Sequence, residues 1–431
     1  MVIPFSTILE VVMPRSEHDA GTLVVGASQA GAQLVTSLRQ LGDTAPITLV
    51  GAEAHPPYQR PPLSKEFLAG AATTEALAFR SPGFYPEHDI ELVCGERVEQ
   101  IALPSGGQPG LARTSGGREL PFARLALTVG ARPRRLDVPG ADLGGILYLR
   151  DLDDAVALRD QLAGASRVVV VGGGFVGLEA AAAARALDKQ VTVVEAADRL
   201  VGRAVAPVVS EFYRRAHERR GSTVLLSTGV VGFQGTAGRV EGVVLADGRS
   251  LPADLVMVGI GVIPRVELAE QLGLECDGGI VVDAHARTSA PSVVAAGDCT
   301  VLPHPMTGEG RVRLESVPSA VAQATLAAAT LLGREGNARS VPWFWSNQGD
   351  LKLQIAGLST GFDEHVVRGE PDTESFSVLY YRGGDLLAVD AVNAPADYLA
   401  VRKALTHGLR LPADLVADAG TPLKSVLAAA A

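Results

Sequence analysis

The feature that most constrains this chain is a glycine pattern that occurs twice, each time between an apolar run and an apolar-periodic segment. Gly172-Gly173-Gly174-Phe175-Val176-Gly177 is a full G-x-G-x-x-G after the run 168–171, with a helical pattern at 176–187 and a second apolar run at 191–195. Gly26-Ala27-Ser28-Gln29-Ala30-Gly31 holds the same place after 21–25, before a helical pattern at 30–41 and an apolar run at 47–50. Each segment reads as a βαβ unit of about 30 residues, the smallest piece of a parallel sheet. Gly26 and Gly172 lie 146 positions apart in a chain of 431 residues. At roughly 150 residues per domain, that spacing predicts an α/β protein with two Rossmann-like nucleotide-binding domains and room for a third domain.

The glycines have separate jobs. The first permits the tight turn, the middle one lets backbone amides approach a pyrophosphate, and the last lets helix pack on strand. The helix N-terminus then offers free N–H groups and partial positive charge to the phosphates. Gly172, Gly174 and Gly177 fill all three places. Eighteen residues on, Glu195 ends a strand where a carboxylate would accept hydrogen bonds from the adenine-ribose hydroxyls and repel a ribose 2′-phosphate. NADH is therefore expected over NADPH. In the first turn Ser28 stands where the middle glycine is expected, and Glu53 lies 22 residues past Gly31, again at a strand end.

Other stretches organise the rest. Thr128 to Pro133 and Gly259 to Pro264 read as two crossovers between domains. Residues 288–298 read as a strand running into Asp298, which could hold a polyol or equally cap a helix. Residues 92–127 are expected to form an antiparallel meander, and 238–258 a parallel stretch. After Pro342 the composition changes. Both Trp residues, Trp343 and Trp345, cluster there, followed by strands at 376–381 and 386–392 and a helix near 396–405. That segment predicts an α+β C-terminal domain, with the two indoles in its core or, alternatively, along an electron path.

Composition narrows the function. Thirty-eight basic against 48 acidic residues give a charge of −10, the wrong overall sign for general nucleic-acid binding. Three cysteines, Cys94, Cys276 and Cys299, are too few and too scattered for a disulfide framework or a zinc site, and the eight histidines show no ligand spacing, so no metal is expected. No apolar run reaches 18 residues. Residues 1–20 read as a flexible extension rather than a signal peptide, and the chain as cytoplasmic.

Taken together these motifs resemble the two-dinucleotide-domain flavoprotein reductases, and more narrowly the FAD-dependent ferredoxin reductases of bacterial oxygenase systems. The residues that carry the resemblance are Arg60-Pro61-Pro62-Leu63-Ser64-Lys65, Gly174 to Glu179, Gly297-Asp298, Glu315-Ser316-Val317-Pro318 and Trp343-Phe344-Trp345-Ser346. The resemblance implies a glutathione-reductase-like fold with a discontinuous FAD domain (21–131 and 262–338), an inserted NAD domain (132–261) and a C-terminal domain (339–431). It implies FAD contacts from Gly26, Ser28, Ala30, Gly31, Glu53, Arg60, Lys65, Val98, Arg150, Asp298 and Val317. NADH contacts would come from Gly172, Gly174, Phe175, Val176, Gly177, Glu179, Glu195, Arg203 and Gly261. Ser28, Ala52 and Val317 depart from the pattern of some relatives.

The resemblance also implies an ion pair between Lys65, expected to begin a helix after the Pro-Pro turn, and Glu179. Lys65 would stabilise the negative charge of reduced flavin, while Glu179 would orient Lys65 and bond the nicotinamide carboxamide. Disulfide reductases of this architecture place redox cysteines soon after the first βαβ unit, and here no cysteine precedes Cys94. Electrons are therefore expected to pass directly, one at a time, to an acidic two-iron two-sulfur ferredoxin, docked near Arg311, Arg313, Arg402 and Lys403. Reductases of rubredoxin, monodehydroascorbate or a quinone-like acceptor remain alternatives, as does an apoptosis-inducing-factor-like interaction flavoprotein.

Overall fold

A computed structural model describes residues 20–336 and 340–429. The expected extension, apart from Ala20, and the expected boundary at 338–339 lie outside those residues.

Two five-stranded parallel sheets repeat one topology in four of their strands, while the edge strand comes last along the chain in the first and first in the second. The first runs Val293–Ala295, Arg124–Leu127, Thr22–Val25, Ile47–Gly51, Ile90–Cys94. The second runs Ile146–Tyr148, Leu255–Val258, Arg167–Val171, Gln190–Val194, Thr223–Leu225. Their central strands are buried apolar runs (Thr22–Val25, and the four valines 168–171), as strands covered on both faces must be. In each sheet the chain leaves the central strand through its glycine turn into a helix, Gln29–Gln40 or Phe175–Ala186. Each sheet also sends out an antiparallel meander before a later strand, Arg124–Leu127 or Leu255–Val258, returns to the side opposite the helix crossover. The order therefore reverses beside both glycine turns, where open α/β sheets bind ligands.

Two sequence expectations are corrected by these meanders. Within 92–127, only Val98–Ala102, Gly110–Thr114 and Glu119–Phe122 are antiparallel, because the flanking strands are apolar enough to enter the buried parallel sheet. Within 238–258, the expected parallel stretch is mostly an antiparallel pairing of Arg239–Leu245 with Ser250–Pro252. Asp247-Gly248 makes that turn, with Gly248 at φ +86°, and Asp-Gly is a strong hairpin signal.

The two crossover segments pair with each other as an antiparallel ribbon, Ala131–Pro133 against Val262–Pro264. The chain thus leaves the first sheet unit and returns to it side by side. After Pro342 comes a five-stranded antiparallel sheet in the order Trp343–Gln348, Leu351–Gly357, Asp385–Val392, Ser375–Arg382, Glu364–Glu370. One face carries the helix Pro395–His407. The other shares a single apolar core with the second parallel unit, in which Leu351, Leu353, Phe376, Val378 and Tyr380 join Val209, Phe212 and Tyr213. That shared core sets the strand Trp343–Gln348 against the helix Phe175–Ala186.

Candidate active site

Both glycine turns are built alike. Gly26 (φ +115°) and Gly172 (φ +109°) have no room for a side chain: a Cβ would sit 2.2 Å from the Thr128 carbonyl oxygen in one and 2.3 Å from that of Gly259 in the other. The middle position differs. A Cβ on Gly174 would meet no protein atom within 4 Å, so the demand for glycine there comes from whatever approaches the turn. This is a cradle that a side chain would fill, and it fits a dinucleotide pyrophosphate. In the first turn Ser28 occupies that place, and its hydroxyl accepts a bond from Arg60 Nε at 3.0 Å.

Between the two turns lies a cavity of about 1050 Å³, at the upper end of the range for ligand sites. Of the expected contacts, Gly26, Ser28, Ala30, Glu53, Arg60, Lys65, Val98, Arg150, Asp298 and Val317 line it, together with Phe175, Val176 and Glu179 from the second unit. Gly31 does not: it packs against the Gly26 carbonyl, where a Cβ would come within 2.0 Å. Gly177 stands in the same relation to Gly172. Gly172, Gly174, Glu195, Arg203 and Gly261 lie off this cavity, around the second turn. There the Gly173 N–H donates to Glu195 Oε2 at 2.6 Å, and the Arg203 guanidinium reaches to 3.6 Å from where a Cβ on Gly261 would stand.

Beside the first glycine turn the cavity wall carries a connected polar set. Arg60 pairs with Glu53 and donates to the Arg150 carbonyl at 2.5 Å. Glu53 Oε2 also accepts the Tyr58 hydroxyl at 2.5 Å. Burial, chiefly, holds the Tyr58 phenol above its usual range, so it remains a neutral donor. Asp298 accepts from Arg150 Nη2 at 3.2 Å and caps no helix, since the strand Thr300–Pro303 follows it.

At the junction of the two units Lys65 Nζ stands 2.8 Å from Glu179 Oε2, with side chains 12% and 5% exposed. Contrary to expectation, Lys65 begins no helix. Pro61–Ser64 forms a 3₁₀ turn that Lys65 ends, its N–H bonded to the Pro62 carbonyl at 3.0 Å and its own backbone, at φ −128° and ψ −105°, outside the helical region. Lys65 Nζ also donates to the Pro61 carbonyl at 2.9 Å. Ser64 donates to Glu179 Oε2 at 2.6 Å and Ser346 to Oε1 at 2.7 Å. Both serines stood inside quoted motifs without a role, as did Phe344, whose ring packs 4.6 Å from that of Phe175 on the cavity wall. The two tryptophans divide: Trp345 lines the cavity, and Trp343 packs on the C-terminal core, 5.5 Å from Trp345.

Among the described residues no cysteine lines the cavity. Cys299 follows Asp298 but is fully buried, which pushes its thiol up to about 12 and keeps it from thiolate chemistry.

Comparison with known proteins places this geometry. The model for pyridine nucleotide-disulphide oxidoreductases matches residues 21–324, and that for the reductase C-terminal domain matches 343–427. The chain belongs to the pyridine nucleotide-disulphide oxidoreductases. Rhodocoxin reductase of Rhodococcus erythropolis is 44% identical over 406 residues, 94% of either chain. Putidaredoxin reductase of Pseudomonas putida is 41% identical over 413 residues, covering 95% of this chain and 97% of its own. In the crystal structure of the covalent putidaredoxin reductase–putidaredoxin complex, the matched chain superposes with a TM-score of 0.90 at 40% identity, over 95% of this chain and 98% of that one. Rubredoxin–NAD(+) reductases match as well; that of Pseudomonas putida is 37% identical over 373 residues. Within the pyridine nucleotide-disulphide oxidoreductases, this chain is a flavoprotein ferredoxin reductase that uses FAD and NAD(P)H. Among its described residues no helix is long and apolar enough to cross a membrane.

Proposed function

We propose that this reductase takes hydride from NADH and passes electrons singly to a two-iron two-sulfur ferredoxin that serves an oxygenase. The observation that carries this reading is the Lys65–Glu179 pair, set at 2.8 Å where the cavity passes from the first glycine turn to the helix of the second. FAD bound in the cavity supplies the conversion between a two-electron donor and a one-electron acceptor. Lys65, shielded from water together with Glu179, offers fixed positive charge where negative charge would accumulate. Glu179 orients Lys65, and Oε1, which among the described residues accepts only from Ser346, retains one acceptor position for a carboxamide N–H.

Glu195, held on the Gly173 N–H, supports NADH over NADPH by repelling a 2′-phosphate. For docking, the four expected cations are unequal. Arg311 pairs with Glu275 at 2.9 Å and Arg313 with Glu315 at 2.9 Å, which lowers their value to an acidic partner. Arg402 lies 4.7 Å over the Trp343 ring, which stacks on Trp345 at the cavity wall. That continuity favours approach of the ferredoxin near Arg402 and Lys403, with the indoles between it and the flavin. We read the chain as one NAD domain inserted into a discontinuous FAD domain, on the paired crossovers.

Rapid mixing tests the proposal. NADH should bleach the bound flavin faster than NADPH, and the reduced protein should then turn over a two-iron two-sulfur ferredoxin faster than a rubredoxin. Efficient transfer to rubredoxin alone would replace the acceptor. Reduction too slow to support turnover would point instead to an interaction flavoprotein.

A further inference from the structure

Glu179 is a buried carboxylate fed by three donors from two other parts of the fold. Ser64 and Lys65 of the first unit both reach Oε2, and Ser346, from the C-terminal sheet, is the one donor to Oε1 among the described residues. Ser346 is fully buried, and a polar chain stands behind it. Gln348 Nε2 lies 3.4 Å from the Ser346 hydroxyl, and Gln348 Oε1 lies 2.8 Å from His217 Nε2. Burial holds the His217 imidazole below its usual range, hence neutral, and its Nε2 faces the Gln348 side-chain amide. A carboxylate can only accept, so the Ser346 hydroxyl donates to Glu179 Oε1.

This direction leaves Ser346 one use for its proton. A carboxylate held only through Oε2 turns about a broad terminal torsion, and a second donor on Oε1 fixes its plane. We propose that Ser346 is a positioning residue for electron entry: it sets the plane of the Glu179 carboxylate and so the placement of Lys65 and of the free acceptor position on Oε1. The C-terminal domain thereby contributes to the reductive half-reaction as well as covering the cavity. The inference rests on the reading of Lys65 and Glu179 given above.

The test uses full-length, FAD-loaded Ser346→Ala, Ser346→Thr and Glu179→Gln, and the double variant of Ser346→Ala with Glu179→Gln. Loss of a hydrogen bond to a charged group predicts that S346A reduces flavin about tenfold more slowly at saturating NADH, with half-saturation and FAD content changed less than about twofold. S346T should restore most of the rate. In the Glu179→Gln background, S346A should cost little more, the non-additivity expected of one unit. The visible absorption of the bound flavin, read without turnover, should shift in S346A and E179Q alike. A wild-type rate in S346A beside a slow E179Q would overturn the role of Ser346 alone. An equal loss in S346T, or full additivity in the double variant, would also overturn it. A wild-type rate in E179Q would remove the Lys65–Glu179 reading and this proposal with it.

Discussion

Arg60 donates its Nε–H to the hydroxyl of Ser28, the residue that stands at the middle position of the first glycine turn. The contact turns a departure from the glycine pattern into part of the site, since the same guanidinium pairs with Glu53 and donates to the Arg150 carbonyl. Ser28→Ala removes one of three anchors and leaves the others. FAD affinity should weaken no more than about fivefold, an effect near 1 kcal/mol. Arg60→Ala leaves Glu53 without its cation and should weaken FAD binding by more than about tenfold. Fluorescence of released flavin on dilution measures both. Equal losses would show that Ser28 is more than a seat for Arg60.

Gly174 allows the complementary substitution. The protein leaves open space around its Cβ position, so Gly174→Ser should keep the unfolding temperature within about 2 °C. It should raise the NADH concentration needed for half-maximal flavin reduction, because the added atoms face the pyrophosphate. A drop in stability with unchanged NADH saturation would show that the glycine serves the fold.

Lys65→Ala should slow flavin reduction by NADH about a hundredfold, the range lost when one group that stabilises developing charge is removed. FAD should stay bound through the Arg60 set, which Lys65 does not touch. The measurement is a single-turnover rate beside a flavin-to-protein ratio. A normal rate with lost FAD would make Lys65 a binding residue only.

What could be read in the sequence follows from the range of the interactions. The two glycine turns, their strands and helices and the acidic residues after them are local patterns, and the structure follows them within a residue or two. Ser64 and Ser346 meet on Glu179 across sequence separations of 115 and 167 residues, and no local periodicity records such a meeting. The Pro61-Pro62 pair did carry a local signal for the turn before Lys65, but it says nothing of the backbone after it, where the expected helix does not start. Arg311 and Arg313 looked free because Glu275 is distant in sequence and Glu315 reads as part of a separate motif.

Glu195 accepts from the Gly173 N–H on Oε2 and from the Ala197 N–H on Oε1, so Glu195→Gln keeps an acceptor for one of the two while it removes the charge facing a ribose 2′-phosphate. The preference for NADH over NADPH should narrow by about tenfold, equal to roughly 1.4 kcal/mol, chiefly through better NADPH saturation. Steady-state kcat/KM for each nucleotide measures this, with a fixed artificial acceptor. An unchanged ratio would move the discrimination to Arg203 or Gly261.

Asp390 lies buried between the second unit and the C-terminal sheet. It accepts from the Tyr380 hydroxyl, and its Oδ1 has no partner among the described residues. Burial pushes its carboxyl up to about 7. An acid whose folded value is raised holds its proton more tightly when folded, so its contribution to stability is complete below about pH 4 and lost as pH rises through about 7. Asp390→Asn should therefore match the wild type near pH 4 and exceed it at pH 8, by on the order of 4 kcal/mol. Denaturant unfolding of both proteins at the two pH values gives the difference, from which groups common to both cancel. Equal stabilities at pH 8 would mean that the Tyr380 hydroxyl is enough to hold Asp390 as a carboxylate in the shared core.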